Sequence, residues 1–255
     1  ALVCLTLALH WVQKSPCRTG EWIDWRQYKQ FCYTDIFALY GAEGLNEGKV
    51  PYLDHPVEYP VLTGAFMGAI GLPIHAFGAD RPDFNQGMWF YTVNVLVLGA
   101  IAVASTGAIL AMRRRRPWDA ALFALSPALL VTATVNWDLL AIGFAVFGMY
   151  AWARRWPVAA GVLLGLGTAA KLWPGFIFVP LIFLGLRAGR KAAVSLAVGS
   201  GLAAWLAVNL PVMAANFENW KRFLNLNTER GIDWGTLWYI LDKFPRGNGQ
   251  YGFEA

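Results

Sequence analysis

Charge is scarce in this chain. Asp, Glu, Lys and Arg supply 15% of its 255 residues, where a soluble domain carries about 25%. Burial in water does not explain that deficit, but an apolar solvent around the chain does. Histidine is scarcer, with three residues; a multi-histidine metal site is therefore not expected, and no metal is assigned. There is no HExxH, Walker loop, paired CxxC or GxGxxG fingerprint, and no GxSxG elbow. No Lys/Arg face interleaved with aromatics appears, so nucleic acid is not expected as a partner.

Cysteine is also rare, with three residues. Cys4 lies in an apolar stretch and reads as a buried, inert thiol. Cys17 and Cys32 flank a polar, Trp-rich segment. Outside the cytoplasm they would suit a disulfide; two free thiols are the equal alternative. Ala1–Val12 is already apolar and, without the charged leader and cleavage site of a signal peptide, reads as the outer part of a membrane helix. The chain is accordingly expected to be a piece of a longer protein.

What is abundant is apolar: 57% of residues are hydrophobic, and 13 are Trp. The 88–112 run is long enough to span a bilayer and ends in Arg113-Arg114-Arg115-Arg116, a cytoplasmic marker. From that anchor, 118–135 crosses outward and 139–153 returns to Arg154-Arg155. The 157–170 run goes out, 174–186 returns to Arg187, Arg190 and Lys191, and 192–213 goes out again. Every basic cluster between crossings falls on one side. The 57–77 stretch, with Pro60 and Pro73, reads as interfacial or re-entrant, since a crossing there would put the arginine quartet outside. The fold expected is all-α, a polytopic transmembrane helix bundle. Its parts are 1–12, the end of a first helix; 13–87, an external loop with interfacial helices; 88–215, a bundle of about six helices; and 216–255, an external segment. Amphipathic pieces are expected at 21–31, 33–45 and 217–224.

On the external side this topology gathers the candidates. Charges held near lipid are functional candidates by default. Asp35 could act as a general base on a hydroxyl or cap the helix that follows it. Tyr52, His55, Glu58 and Tyr59 lie in a Pro-stiffened aromatic stretch that could wall a sugar site or simply turn the chain. Asn136, Trp137 and Asp138 could bind a polyol, with Trp137 stacked on the ring, or form a capped turn. Lys171, with no acidic neighbour in sequence, suits a lipid phosphate; the alternative is a snorkelling lysine. Arg230 and the Trp234 region could add a second phosphate or sugar contact.

At these residues the chain resembles the GT-C class of polyprenol-phosphate-sugar-dependent glycosyltransferases, in particular actinobacterial glycosyltransferase family 87. The matching features are Asp35, Leu39-Tyr40, Gly48-Lys49-Val50-Pro51-Tyr52, Glu58-Tyr59-Pro60, Asn136-Trp137-Asp138 and Ala169-Ala170-Lys171-Leu172-Trp173-Pro174, in that order. Glu58-Tyr59-Pro60-Val61 departs from the commoner tyrosine followed by two prolines. The resemblance implies an inverting transferase with Asp35 as base. It implies a lipid-linked sugar donor as substrate, with mannose the default and arabinose open, and no cofactor. It also implies a glycolipid or cell-wall glycan acceptor, and a site on the external face of a bacterial plasma membrane among membrane lipids. Membrane protein partners are left open. A transporter or lipid flippase and a non-catalytic membrane subunit are the alternatives. A transporter would show repeats and midplane charges, neither of which stands out here.

Overall fold

A computed structural model of the protein describes residues 1–18, 22–232 and 236–243. It is an all-α bundle of membrane type, with no strand among the described residues and one isolated bridge between Pro51 and His55. The helices are α1 (Leu2–Lys14), α2 (Arg26–Lys29), α3 (Asp35–Ala42), α4 (Val61–Gly78) and α5 (Gln86–Met112). They continue as α6 (Ala121–Ala124), α7 (Pro127–Thr132), α8 (Asp138–Ala153), α9 (Pro157–Ala170) and α10 (Phe178–Arg187). The last are α11 (Lys191–Ala215), α12 (Phe217–Glu229) and α13 (Leu237–Lys243).

Three helices, α4, α5 and α11, are long and apolar enough to cross a membrane. The 118–135 stretch is not one rod. It breaks at Leu125-Ser126, because Pro127 withholds an N–H and disfavours helical backbone before it. The two short helices lean on α1, where Thr6 donates to Ala124 O (2.7 Å). Cys4, expected to be buried, is exposed on α1, along with Leu5, Leu9 and Val12. In a lipid solvent such an apolar face needs no protein cover.

Small residues set the tightest packing. On α9, Gly161 and Gly165 lie against Ala197 and Gly201 of α11, where a Cβ would overlap the Ala197 and Gly201 carbonyl oxygens. Helix association in lipid relies on this kind of backbone approach.

Pairwise contacts give the helix directions. Trp137 meets Asn94 and Gly143 meets Ile101, so α8 runs alongside α5 in the same direction. Gly161 meets Ala197 and Gly165 meets Gly201, so α9 and α11 also run together. Arg190 lies over the Trp152 ring (4.5 Å), close to Arg154-Arg155. The arginine-rich turns after α5, α8 and α10 therefore share one end of the bundle, and Asp35, Asn136 and Lys171 share the other. Helix α4 stays at that second end. Gly64, Gly68, Gly71 and Gly78 abut Tyr52, Pro51, Leu45 and Gln86 in turn, and Gln86 accepts from Tyr40 of α3 (2.8 Å).

Candidate active site

Asp35 is placed by several independent contacts. Lys14, buried at the end of α1, donates to Tyr33 O (2.8 Å). The Cys17–Cys32 disulfide ties the same loop back to α1. Thr34 Oγ1 donates to Thr134 O (2.7 Å), and Asp35 N donates to Val135 O (2.7 Å). His10 fixes that receiving strand of chain. Its Nδ1–H donates to Leu130 O (2.8 Å), which leaves Nε2 to accept from Thr134 N (3.1 Å).

Thr34, not Asp35, caps α3: its side chain accepts from Ile36 N (3.2 Å). With the cap supplied, the Asp35 carboxylate is left to face a cavity of about 940 Å³. Tyr59 donates its hydroxyl to Asp35 Oδ2 (2.9 Å), and Tyr33 lines the same cavity. Burial first, then Asp35 itself, push both phenols above their ordinary pKa, which keeps them protonated as donors.

Glu58, Tyr59, Asn136, Lys171 and Arg230 line the same cavity as Asp35. The Lys171 ammonium lies 5.4 Å from the centre of the Tyr59 ring and pairs with Asp138. Lys171 thus has in space the acidic partner it lacks in sequence. Asn136 Oδ1 accepts from Asp138 N (2.9 Å), so it also starts α8.

Other candidates lie elsewhere. Trp137, expected to stack on a sugar, is fully buried (0% exposed), donates to Asn94 Oδ1 (2.7 Å) and packs edge-on against Tyr59 (5.3 Å). A ring spent on those contacts supports Tyr59 and presents no face to a ligand. Tyr52 (2% exposed) is likewise structural, its hydroxyl meeting Tyr59 O (2.8 Å) and Pro60 O (2.9 Å). His55 does not line the cavity and sits 3.7 Å from Glu43. Trp234 is outside the described residues.

The sequence reading missed Tyr33, Glu43 and one cavity wall. That wall is α12, through Phe223, Leu226 and Asn227, with Asn219 Nδ2 tethered to Tyr52 O (2.9 Å). Glu43, only 2% exposed, accepts from Glu58 N (3.0 Å), and burial pushes its carboxyl up to about 7. Among the described residues no cluster of His, Cys, Asp or Glu is arranged to hold a metal.

An apolar helix bundle with two carboxylates and two cations around one open cavity defines a membrane protein that handles a polar or charged ligand at one end. The profile of glycosyltransferase family 87 matches residues 64–239, and the chain belongs to that family. The match takes in Asn136, Trp137, Asp138, Lys171 and Arg230 and begins beyond Asp35 and Glu58. No curated protein and no solved structure matches.

Proposed function

We propose that this glycosyltransferase moves a sugar, mannose by default, from a polyprenyl-phosphate donor to a lipid or glycan acceptor. The setting is the non-cytoplasmic face of a bacterial plasma membrane. The observation that carries the reading is that Asp35 and Lys171 line one cavity, at the end of the bundle opposite the arginine turns. With those turns in the cytosol, the cavity opens on the outer side.

Asp35 accepts the proton of the acceptor hydroxyl as that oxygen bonds to the anomeric carbon. The bond from that carbon to the phosphate oxygen breaks, and polyprenyl phosphate leaves with the electron pair. Attack from the face opposite the leaving group inverts the centre. Lys171 and Arg230 meet the charge that grows on the phosphate, while Glu58 and Asn136 hold sugar hydroxyls. The Lys171–Asp138 pair suits this role, since Asp138 holds the ammonium at the rim until a phosphate competes for it.

The test is turnover in proteoliposomes given polyprenyl-phosphate mannose and a lipid acceptor. Asp35→Asn should lower it by about a thousandfold, the range of a lost general base, with the fold kept. Wild-type turnover in that variant would overturn the assignment.

A further inference from the structure

A second recess, of about 520 Å³, lies on the other face of α3. Asp35 and Leu39 face the first cavity, whereas Phe37, Tyr40 and Gly41 line this one, with Trp22, Phe84 and Gln86. Among the described residues no Asp, Glu, Lys or Arg lines it. The first cavity carries Asp35, Glu58, Lys171 and Arg230. A phosphate or a cation would go to the first and meets no counter-charge among the described residues of the second. Aromatic faces beside amide groups suit a neutral polyhydroxylated ring, whose C–H face rests on the aromatic while its hydroxyls reach the amides.

A row of packed aromatic rings runs from one recess to the other. Tyr28 stacks on Tyr33 (centroids 5.7 Å apart, planes at 12°), Tyr33 meets Trp22 (5.5 Å), and Trp22 meets Phe37 (5.8 Å). The first two rings line the Asp35 cavity and the last two line the second recess. The row begins at the cavity of the proposed base, which Tyr28, Tyr33 and Asp35 all line. It is also held in place: Trp22 Nε1 donates to Cys17 O (3.3 Å), and Cys17 is bonded to Cys32. Gly41 lies six residues along α3 from Asp35, about 9 Å of helix axis, which is the reach of a short oligosaccharide.

We infer that the aromatic row and second recess form an extended subsite for neutral hexose units of the acceptor, beyond the unit that receives the new sugar. The inference rests on the glycosyl-transfer reading above for what the acceptor is. It makes the enzyme one that grips a glycan chain rather than a bare lipid headgroup.

Gly41 offers a way to test it. A Cβ there meets nothing within 4 Å, and Leu is a better helix former than Gly, so Gly41→Leu fills the recess without straining α3. The probes are linear mannohexaose and free mannose, titrated by saturation-transfer NMR against the full chain in nanodiscs. Wild type should bind the hexasaccharide more tightly than mannose. Gly41→Leu and Trp22→Ala should each weaken the hexasaccharide about tenfold, as loss of one aromatic contact does. Asp35→Asn should leave that affinity in place. Equal affinity for the two sugars, or a Gly41→Leu chain that binds like wild type, overturns the subsite. If Asp35→Asn turns over normally while Gly41→Leu weakens binding, the chemistry fails and the subsite stands. If Asp35→Asn is inactive while Gly41→Leu binds like wild type, the subsite fails and the chemistry stands.

Discussion

Tyr59 donates to Asp35 across 2.9 Å while Trp137 braces the edge of its ring at 5.3 Å. The carboxylate is therefore oriented by a side chain that is itself wedged in the core. A base must point one lone pair at the acceptor hydroxyl, and this contact occupies another.

Tyr59→Phe keeps the ring and removes only that donor. We expect kcat to fall about tenfold, the cost of one hydrogen bond to a charged group, with KM for both substrates little changed. Steady-state kinetics in proteoliposomes measures it. A change confined to KM would place Tyr59 in ligand binding instead.

Lys171 and Asp138 form an ion pair at the rim of the cavity, and two variants separate phosphate binding from bracing. Lys171→Met should cut kcat/KM for the lipid-phosphate donor by about a hundredfold, comparable with removing one transition-state donor. Asp138→Asn keeps the ammonium and should cost less than about tenfold, a small share of that effect. Equal losses in the two variants would make the pair structural.

The bundle was legible because scarcity of charge and long apolar runs report the solvent around a chain, whatever its tertiary contacts. The basic turns sorted to one end for the same reason. Asp35 stood out, but Thr34 and Asp35 are both good capping residues, and only the hydrogen bond from Ile36 N to Thr34 decides between them. Trp137 misled because a Trp beside two polar residues reads as exposed, whereas its burial depends on Asn94, 43 residues earlier. An amphipathic helix at 217–224 was legible, but its place as a cavity wall was not, since Asn219 reaches Tyr52 across 167 residues.

The α9–α11 seam gives a stability prediction. A Cβ on Gly165 would overlap the backbone of Gly201, and backbone yields less readily than a flexible side chain. Gly165→Ala should therefore lower the unfolding temperature in detergent by about 5 °C or more, the shift that overpacking of this kind produces. An unchanged melting curve would mean that the two helices can separate at no cost.

Glu43 carries the pH prediction. Its carboxyl is raised to about 7, chiefly by burial, with the hydrogen bond from Glu58 N opposing the shift, the Glu58 charge adding to it and Arg222 opposing it. His55 also faces it, at 3.7 Å. The folded state then holds the proton more tightly than the unfolded chain, whose carboxyl titrates near its ordinary value of 4.5. That contribution to stability is fully present below about pH 4.5 and is lost as pH rises through about 7. Glu43→Gln mimics the protonated form and keeps an acceptor for Glu58 N. Its melting temperature relative to wild type should rise between pH 5 and pH 8 and level off beyond, as the buried charge appears only in the wild type. A difference that does not vary with pH would mean that Glu43 stays in one protonation state throughout.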